Sequence, residues 1–291
     1  MLGLACSKTQ KAPPPPAPPS AAVSSAAASA APFASAAAPA RGLVLHLERH
    51  IGKRGDALSA GLYRYTGAAS HGRMWVARVL PGKAHIQLLP VSRPRPLADI
   101  LKGREPRGDY VAVNGGFYDK ERPMGLVVAG GQPVAPLRKR GGSGVFVMRM
   151  GHPAIVHRDA YKAKKPALAL QSVDRLVDSG RVLVRARPGL RRDARSAVVI
   201  DAEGAVLFAV AFDAQAAFPL SNDAIRMSAA STTSGPTLLE FARLLVRDLH
   251  ARTALNLDGG SSTSMRIRIG KAHLDVIARH ATINALVADA R

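Results

Sequence analysis

Two short runs of the chain share one layout, an apolar stretch of β type that ends in a polar side chain followed by two glycines. They read Val-Ala-Val-Asn-Gly-Gly-Phe-Tyr at 111–118 and Ala-Leu-Asn-Leu-Asp-Gly-Gly-Ser-Ser at 254–262. Each run predicts a strand whose end carries a polar side chain, backed by a turn that only glycine can shape. Such turns expose backbone amides, which suit anionic or polyhydroxy ligands. We therefore expect the two runs to meet in one site.

Short apolar runs alternate with Gly and Pro from residue 42 onward. This pattern predicts an α+β fold: one strand-rich domain over residues 42–291, with a mixed or antiparallel sheet and few helices. An amphipathic helix is expected at Leu238–Arg252, begun by a capping box at Thr237–Glu240, and a short helix at Pro94–Leu101. The predicted strands are Gly42–Leu47, Met74–Leu80, Ala84–Leu89, Tyr110–Asn114, Gly125–Val128, Val145–Met150, Val182–Arg185, Ala197–Asp201, Ala205–Phe212 and Ala254–Asp258.

Residues 1–41 differ from the rest of the chain in composition. A proline run and an Ala/Ser-rich tract occupy residues 7–41, which predicts a disordered tether. The preceding Leu-Gly-Leu-Ala-Cys, ending at Cys6, resembles the end of a bacterial lipoprotein signal that lacks its charged start and apolar run. We expect lipidation at Cys6, membrane attachment and a location in the cell envelope. The alternative is a lone thiol in a disordered tail.

The chain is strongly basic, with a formal net charge of +21. Such a surface attracts anionic polymers, anionic lipids or nucleic acid. The charge alone suggests a nucleic-acid-binding protein, but the basic residues are scattered and aromatic residues make up only 4% of the chain. A genome biased toward Arg and Ala codons explains the charge equally well. We expect no nucleic-acid partner.

No pattern of metal ligands stands out. No Cys/His cluster has zinc spacing, and no loop has the alternating oxygen ligands of a calcium site, although Asp201, Asp213 and Asp258 could together hold a calcium ion. We therefore expect no metal and no organic cofactor.

The two glycine runs belong to a longer series of motifs. Asn114–Tyr118 and Asn256–Ser262 resemble the two signature motifs of the phosphodiester glycosidase family. Gln171-Ser172 with the following Leu-Val is similar to the family's Gln-Ser-Gly-Pro-x-Leu-Val segment, although Val and Asp replace its Gly-Pro. Arg195-Ser-Ala is similar to its Arg-Thr/Ser-Ala step, and Arg279 with Asn284-Ala-Leu to its closing run. The second glycine run lacks the third glycine often found there. The resemblance spans roughly residues 43–290.

The resemblance implies hydrolysis of the bond between a sugar anomeric carbon and a phosphodiester oxygen, in an envelope or extracellular glycan. Asp258 would activate water or stabilise positive charge at the anomeric carbon, and Asn114 and Arg195 would complete the catalytic set. The substrate would be a sugar-phosphate or a glycan. The expected substrate-binding residues are Gly115, Gly116, Gln171, Ser172, Asn256, Gly259, Gly260, Ser261, Ser262, Arg279 and Asn284.

Two other interpretations stay open from the residues. Arg195 and Arg279 suit a solvated surface as well as a site, and Glu240 is better explained by its capping box than as a second catalytic carboxylate. A membrane-tethered protein that binds an anionic polysaccharide without cleaving it would use the same cleft. The sequence leaves the oligomeric state undetermined.

Overall fold

The computed structural model describes residues 42–53, 55–68, 70–140, 142–162, 165–213, 217–219, 224–228 and 235–290. Cys6 and the predicted tether over residues 1–41 lie outside this part of the chain. Within it the architecture is strand-rich with few helices, as the sequence predicts. None of the helices in the described ranges has the length and apolar character needed to span a bilayer.

The described ranges contain two α-helices, α1 (Leu97–Leu101) and α2 (Leu238–Leu249). The strands are β1 (Val44–Ile51), β2 (Leu58–Thr66), β3 (His71–Val79), β4 (Ala84–Arg95), β5 (Tyr110–Asn114), β6 (Tyr118–Asp119), β7 (Arg122–Pro123), β8 (Val127–Ala129), β9 (Gln132–Ala135), β10 (Gly144–Arg149), β11 (His152–His157), β12 (Leu168–Ser172), β13 (Arg175–Asp178), β14 (Arg181–Val182), β15 (Arg195–Asp201), β16 (Val206–Asp213), β17 (Ala217–Pro219), β18 (Ala224–Ser228), β19 (Ala251–Asn256), β20 (Met265–Ile269), β21 (Ala272–Ile277) and β22 (Thr282–Ala290).

Three sheets carry almost all of these strands. An eight-stranded antiparallel sheet has the order β1-β2-β3-β16-β15-β19-β13-β14. A seven-stranded sheet has the order β17-β18-β21-β20-β5-β22-β4 and is antiparallel except for the parallel pair β18 and β21. A five-stranded antiparallel sheet has the order β11-β10-β12-β8-β9, and β6 pairs with β7. The two glycine runs therefore follow strands of different sheets, β5 and β19.

A single apolar core joins the three sheets. It includes Trp75 and Leu255 of the eight-stranded sheet, Val113 of the seven-stranded sheet and Phe146 of the five-stranded sheet, all of them fully buried. Because β5 and β19 both pack into this core, their ends are held at fixed positions relative to each other. The packing of apolar side chains thus brings together two runs that are far apart in sequence.

Helix α2 covers the other face of the eight-stranded sheet. Phe241 and Leu245 pack against Val199 and Ala254, and the predicted capping box at Thr237 is present. The predicted C-terminal end is wrong, because His250 adopts a left-handed backbone conformation with φ 51° that ends the helix. The chain then enters β19 at once.

Several predicted boundaries also differ from the structure. The predicted strand Ala254–Asp258 begins earlier and ends at Asn256, so Asp258 lies in the turn beyond it. Pro94 belongs to β4, and the short helix begins only at Leu97. The predicted hairpin turns at residues 150–153 and 201–204 are confirmed. The pattern did not predict β2, β12 or the three strands after residue 264.

Candidate active site

The two glycine runs meet, as the sequence predicts. The Nδ2 of Asn114 donates a hydrogen bond of 2.6 Å to the backbone oxygen of Asp258. In return, the backbone nitrogen of Asp258 donates to the oxygen of Gly115 over 2.9 Å. These two bonds join the end of β5 to the turn after β19.

Asn114 is completely buried, and both polar atoms of its side chain have protein partners. Its Oδ1 accepts from the Oγ of Ser196 at 2.9 Å and from the backbone nitrogen of Ser264 at 3.0 Å. Three segments of chain thus converge on one amide group. The contacts suit a positioning role for this residue rather than direct contact with a substrate.

The first glycine pair lies against Asn284. The nitrogen of Gly115 donates to the backbone oxygen of Asn284 at 2.8 Å, and the nitrogen of Gly116 donates to its Oδ1 at 3.0 Å. A Cβ on Gly115 would lie 1.8 Å from that Oδ1. Glycine is required here because two chain segments approach closely.

The sequence pattern led us to expect free amides at both glycine pairs, and this expectation is wrong. All four glycine amides donate to protein oxygens: Gly115 and Gly116 to Asn284, Gly259 to the Oδ1 of Asp258 at 3.0 Å, and Gly260 to the backbone oxygen of Ala194 at 2.7 Å. Because glycine has no side chain, each turn can pack closely against neighbouring chain segments. Its amides then form hydrogen bonds with those segments instead of staying free for a ligand.

Asp258 carries the most perturbed carboxyl group of the site. Its pKa is raised to about 6, chiefly by burial and in smaller part by the negative charge of Asp193, while hydrogen bonds from Ser262 and Gly259 lower it. A carboxyl with this pKa exchanges its proton near neutral pH. Such a shift is typical of functional sites.

Asp193 is a second carboxylate that the sequence reading missed. It precedes β15, and its two carboxylate oxygens lie 3.0 and 3.1 Å from the position that a Cβ on Gly260 would occupy. Gly260 has φ +59°, a conformation that favours glycine. Two carboxylates thus flank one glycine turn. The one local signal was its position two residues before Arg195, within a basic stretch.

Arg195 lies beside the same turn. Its Nε donates to the oxygen of Pro236 at 3.1 Å, and its Nη2 donates to the oxygen of Arg191 at 2.5 Å. Burial lowers the pKa of this guanidinium, and the charge of Asp193 opposes that shift. A partly desolvated cation therefore lies next to the carboxylate pair, which suits an anionic ligand.

The loop between β21 and β22 is fixed onto the second glycine run. The nitrogen of His280 donates to the oxygen of Ser261 at 2.8 Å, and the Oγ of Ser261 lies 2.9 Å from the Nδ1 of His280. The hydroxyls of Ser262 and Tyr118 both donate to the oxygen of Ala281, at 3.2 and 3.1 Å.

The expected residue Arg279 precedes His280 in this loop and is exposed. No sequence pattern indicates a separate role for Tyr118 or His280. Burial raises the pKa of the Tyr118 phenol, and the charge of Asp258 raises it further. Tyr118 therefore lies in the electrostatic surroundings of Asp258, and His280 contacts the second glycine run.

Gln171 has a structural part in the site. Its Oε1 accepts from the backbone nitrogens of Leu126 and Arg138, each at 3.0 Å, and its Nε2 donates to the oxygens of Arg138 and Gly142 at 2.7 and 3.1 Å. The side chain thus holds the segment that follows β9. The backbone of Gln171 also lies near the first run, 3.1 Å from where a Cβ on Gly116 would be.

Three other expected residues keep polar atoms without a hydrogen-bond partner in the described structure. They are the Oγ of Ser172, the Oδ1 of Asn256 and the Nδ2 of Asn284, all buried. Buried polar atoms without partners are costly and uncommon in folded proteins. Other described residues away from the expected set, Tyr65 and Asp289 among them, also keep such an atom, so these atoms alone do not mark a site.

The described residues contain no group of three or more His, Cys, Asp or Glu side chains placed to hold a metal ion. Asp201 lies in the hairpin turn at the far end of β15, where its Oδ1 accepts from the nitrogens of Glu203 and Ala205. That is about 20 Å along the strand from Arg195. Asp201 therefore cannot share a calcium ion with Asp258, the one arrangement that the sequence had left open.

Comparison with known proteins gives one matching family and several solved structures of similar fold. The family model described as phosphodiester glycosidase matches residues 107–290. Among solved structures, the fold is similar to the catalytic domain of zebrafish N-acetylglucosamine-1-phosphodiester α-N-acetylglucosaminidase, described as auto-inhibited by its pro-peptide. The TM-score is 0.60 with 17% identity, over 86% of this chain and 89% of that chain.

A hypothetical protein from Synechocystis is similar with a TM-score of 0.53 and 16% identity, over 81% of this chain and 62% of that one. At such identities the two structures establish likeness of fold alone. A search among curated protein sequences finds no significant match.

We predict that Gly115→Ala destabilises the protein by more than about 3 kcal/mol, because the new methyl group would overlap the Asn284 side chain. Gly108→Ala is the matched control, since no atom lies within 4 Å of its added Cβ. Urea unfolding of both variants measures the difference. Equal stability of the two would show that the close approach carries no energetic weight.

Asp258→Asn is predicted to stabilise the fold above pH 6. The folded-state pKa of about 6 lies above the usual 3.8, so ionisation is disfavoured in the folded protein; this penalty is absent below pH 3.8 and complete above pH 6. The neutral variant avoids it, with an expected gain of about 1–3 kcal/mol at pH 7.5 that shrinks toward pH 4.

Thermal unfolding across this pH range measures the gain, and Asp119→Asn, at an exposed carboxylate, is the control. A gain in stability that does not depend on pH, or that is equal in the control variant, would contradict a raised pKa at Asp258.

Proposed function

The chain belongs to the phosphodiester glycosidase family, and we propose that it hydrolyses the bond between a sugar anomeric carbon and a phosphodiester oxygen. The observation that carries the proposal is the Asp258 carboxyl, with a pKa of about 6, on the turn where the two glycine runs meet. A group of this kind transfers protons efficiently near neutral pH.

In the proposed reaction, ionised Asp258 takes a proton from a water molecule. The water oxygen bonds to the anomeric carbon, and the bond from that carbon to the phosphate oxygen breaks. The electron pair leaves with the phosphate monoester. Because phosphate is a weak base, its departure needs little protonation, and one carboxylate can therefore supply the essential proton transfer. Water is the second substrate.

Side chains must stabilise the negative charge of the leaving phosphate, since the glycine amides already donate to protein oxygens. Arg195 lies beside Asp193 and the second glycine turn, and the exposed Arg279 precedes His280, which contacts Ser261 of the second glycine run. We assign the phosphate group to these two guanidiniums. Asn114 and Gln171 hold the walls through their hydrogen bonds, and we assign the sugar hydroxyls to Ser172, Asn256 and Asn284, whose buried polar atoms have no protein partner in the described structure.

Asp193 is proposed to adjust the reactivity of Asp258. Burial is the main cause of the raised pKa of Asp258, and the negative charge of Asp193 adds to it by disfavouring ionisation of the neighbouring carboxyl. The carboxylate of Asp193 also accepts a hydrogen bond from the nitrogen of Ala194 at 3.0 Å, which an asparagine in its place would preserve.

Release of sugar from a sugar-phosphate diester by the purified chain tests the activity. We expect kcat/KM to fall about tenfold per pH unit below pH 6, and Asp258→Asn to reduce kcat at least about 100-fold with the fold intact. Asp193→Asn should move this fall in kcat/KM to lower pH, because it removes a charge that raises the pKa of Asp258. Asp119→Asn should leave the pH profile of kcat/KM unchanged.

Near-normal turnover by Asp258→Asn would remove this residue from the mechanism. Binding of the diester by the wild-type chain without release of sugar would support a non-catalytic polysaccharide-binding protein instead.

The substrate is proposed to be a glycan of the cell envelope, reached by a domain anchored through lipidated Cys6. The support is the lipoprotein-like sequence before Cys6 and the composition of residues 7–41. We expect mass spectrometry of the protein extracted from native membranes to find a lipid on the Cys6 sulfur. An unmodified thiol would contradict the anchor and leave the proposed chemistry unaffected.

A further inference from the structure

Three exposed arginines lie along one edge of the eight-stranded sheet and lead to the candidate site. Arg181 is in β14, the edge strand, and Arg185 and Arg187 follow it in a segment without regular secondary structure. Within the described structure none of the three forms a salt bridge, although the chain has acidic residues nearby. We call these three residues the arginine track.

The outward direction of the arginine track follows from the packing of its neighbours. Val182 and Val184 pack against the apolar cluster beneath α2. In extended chain, side chains two residues apart share a face, so the residues between and beside the two valines face solvent. Leu183, for example, is 40% exposed. Successive outward side chains are about 7 Å apart, so Arg181 and Arg185, with Leu183 between them, are separated by about 13 Å. The charges thus form a row rather than a cluster.

The row ends beside the site. β14 pairs antiparallel with β13, which places Arg181 opposite Asp178 at the far end, and the nitrogen of Leu183 donates to the oxygen of Leu176. The chain therefore runs back toward the start of β13. There the charge of Arg187 acts on Asp174, whose backbone oxygen accepts from the nitrogen of Asn256 at 2.8 Å.

Beyond the arginine track the chain turns and enters the site. Pro188 and Gly189 form the turn, with Gly189 at φ +76°. The guanidinium of Arg191 then lies 4.0 Å from the carboxylate of Asp193, which borders the second glycine turn. A ligand lying along the arginine track is therefore directed at the carboxylate pair.

We propose that the arginine track binds a linear polyanionic glycan whose repeats carry phosphodiesters, and that it guides this polymer into the site; the identity of the polymer rests on the proposed function. Guanidinium groups bind phosphate oxygens in a bidentate geometry, and a row of them binds a chain of phosphates with multiplied affinity. Residues 181–195 contain no aromatic side chain, so they offer no platform for stacked nucleic-acid bases.

The test uses the full chain and two variants that lose equal charge. The first carries Arg181→Gln, Arg185→Gln and Arg187→Gln. The second carries Lys102→Gln, Arg107→Gln and Lys271→Gln, at exposed positions around the seven-stranded sheet. The probes are a capsular polysaccharide with phosphodiester-linked repeats, single-stranded DNA of similar charge, and inorganic phosphate. Dissociation constants are measured at several salt concentrations.

We expect the track variant to weaken polysaccharide binding at least about tenfold and to flatten the slope of log K against log salt by about 2. The control variant should stay within about twofold of the wild type, and hydrolysis of a small sugar-phosphate diester should be unchanged in both.

Equal weakening in the two variants would overturn the proposal, as would DNA binding that is as tight as polysaccharide binding and equally lost in the track variant. Failure of the wild-type chain to hydrolyse any diester would contradict the proposed function, and the binding measurements would still decide the inference about the track.

Discussion

The buried side chain of Asn114 is the contact on which the candidate site depends. It joins residues up to 150 positions apart in sequence, through bonds to the backbone of Asp258, the hydroxyl of Ser196 and the backbone of Ser264. A buried amide that loses its partners costs about 1–3 kcal/mol for each unsatisfied group. These hydrogen bonds therefore stabilise the contact between β5, β15 and the turn after β19. The carboxylates of Asp258 and Asp193 lie at this junction.

Glycine contributes to this junction through close approach. At Gly115 there is no room for a methyl group beside Asn284, and at Gly260 the Asp193 carboxylate occupies the corresponding space. The contacts use the amides that a glycine turn would otherwise expose. The groups that the proposed reaction can use are the carboxyls of Asp258 and Asp193 and the neighbouring guanidinium of Arg195. The pKa of Asp258 is about 6, and ionising this carboxyl in the folded protein lowers the stability of the fold. Groups that oppose folding are expected where function retains them.

Much of the local structure follows from short-range patterns. β5, β15 and β16 are apolar β-type runs, and the capping box at Thr237 gives the start of α2. The end of α2 was predicted wrongly because a left-handed conformation at His250 has no strong local signal. The strands after residue 264 were not predicted because their burial depends on partners elsewhere in the chain. The position of Asp193 was not predicted either, because its neighbours Gly260 and Asp258 are distant in sequence.

By itself, the sequence determined the two glycine runs, the order of the family motifs and the many-stranded architecture, and it led to the hypothesis that Asp258 is the central carboxylate. Only the tertiary structure decided that Asn114 and Gln171 point into protein, that the glycine amides are engaged, that Asp193 flanks the same turn as Asp258, and that the arginines after β13 form a row. The division has a physical cause. Backbone preferences act over a few residues, whereas hydrogen-bond partners, burial and electrostatic neighbours depend on segments that meet only when the three sheets pack around one core.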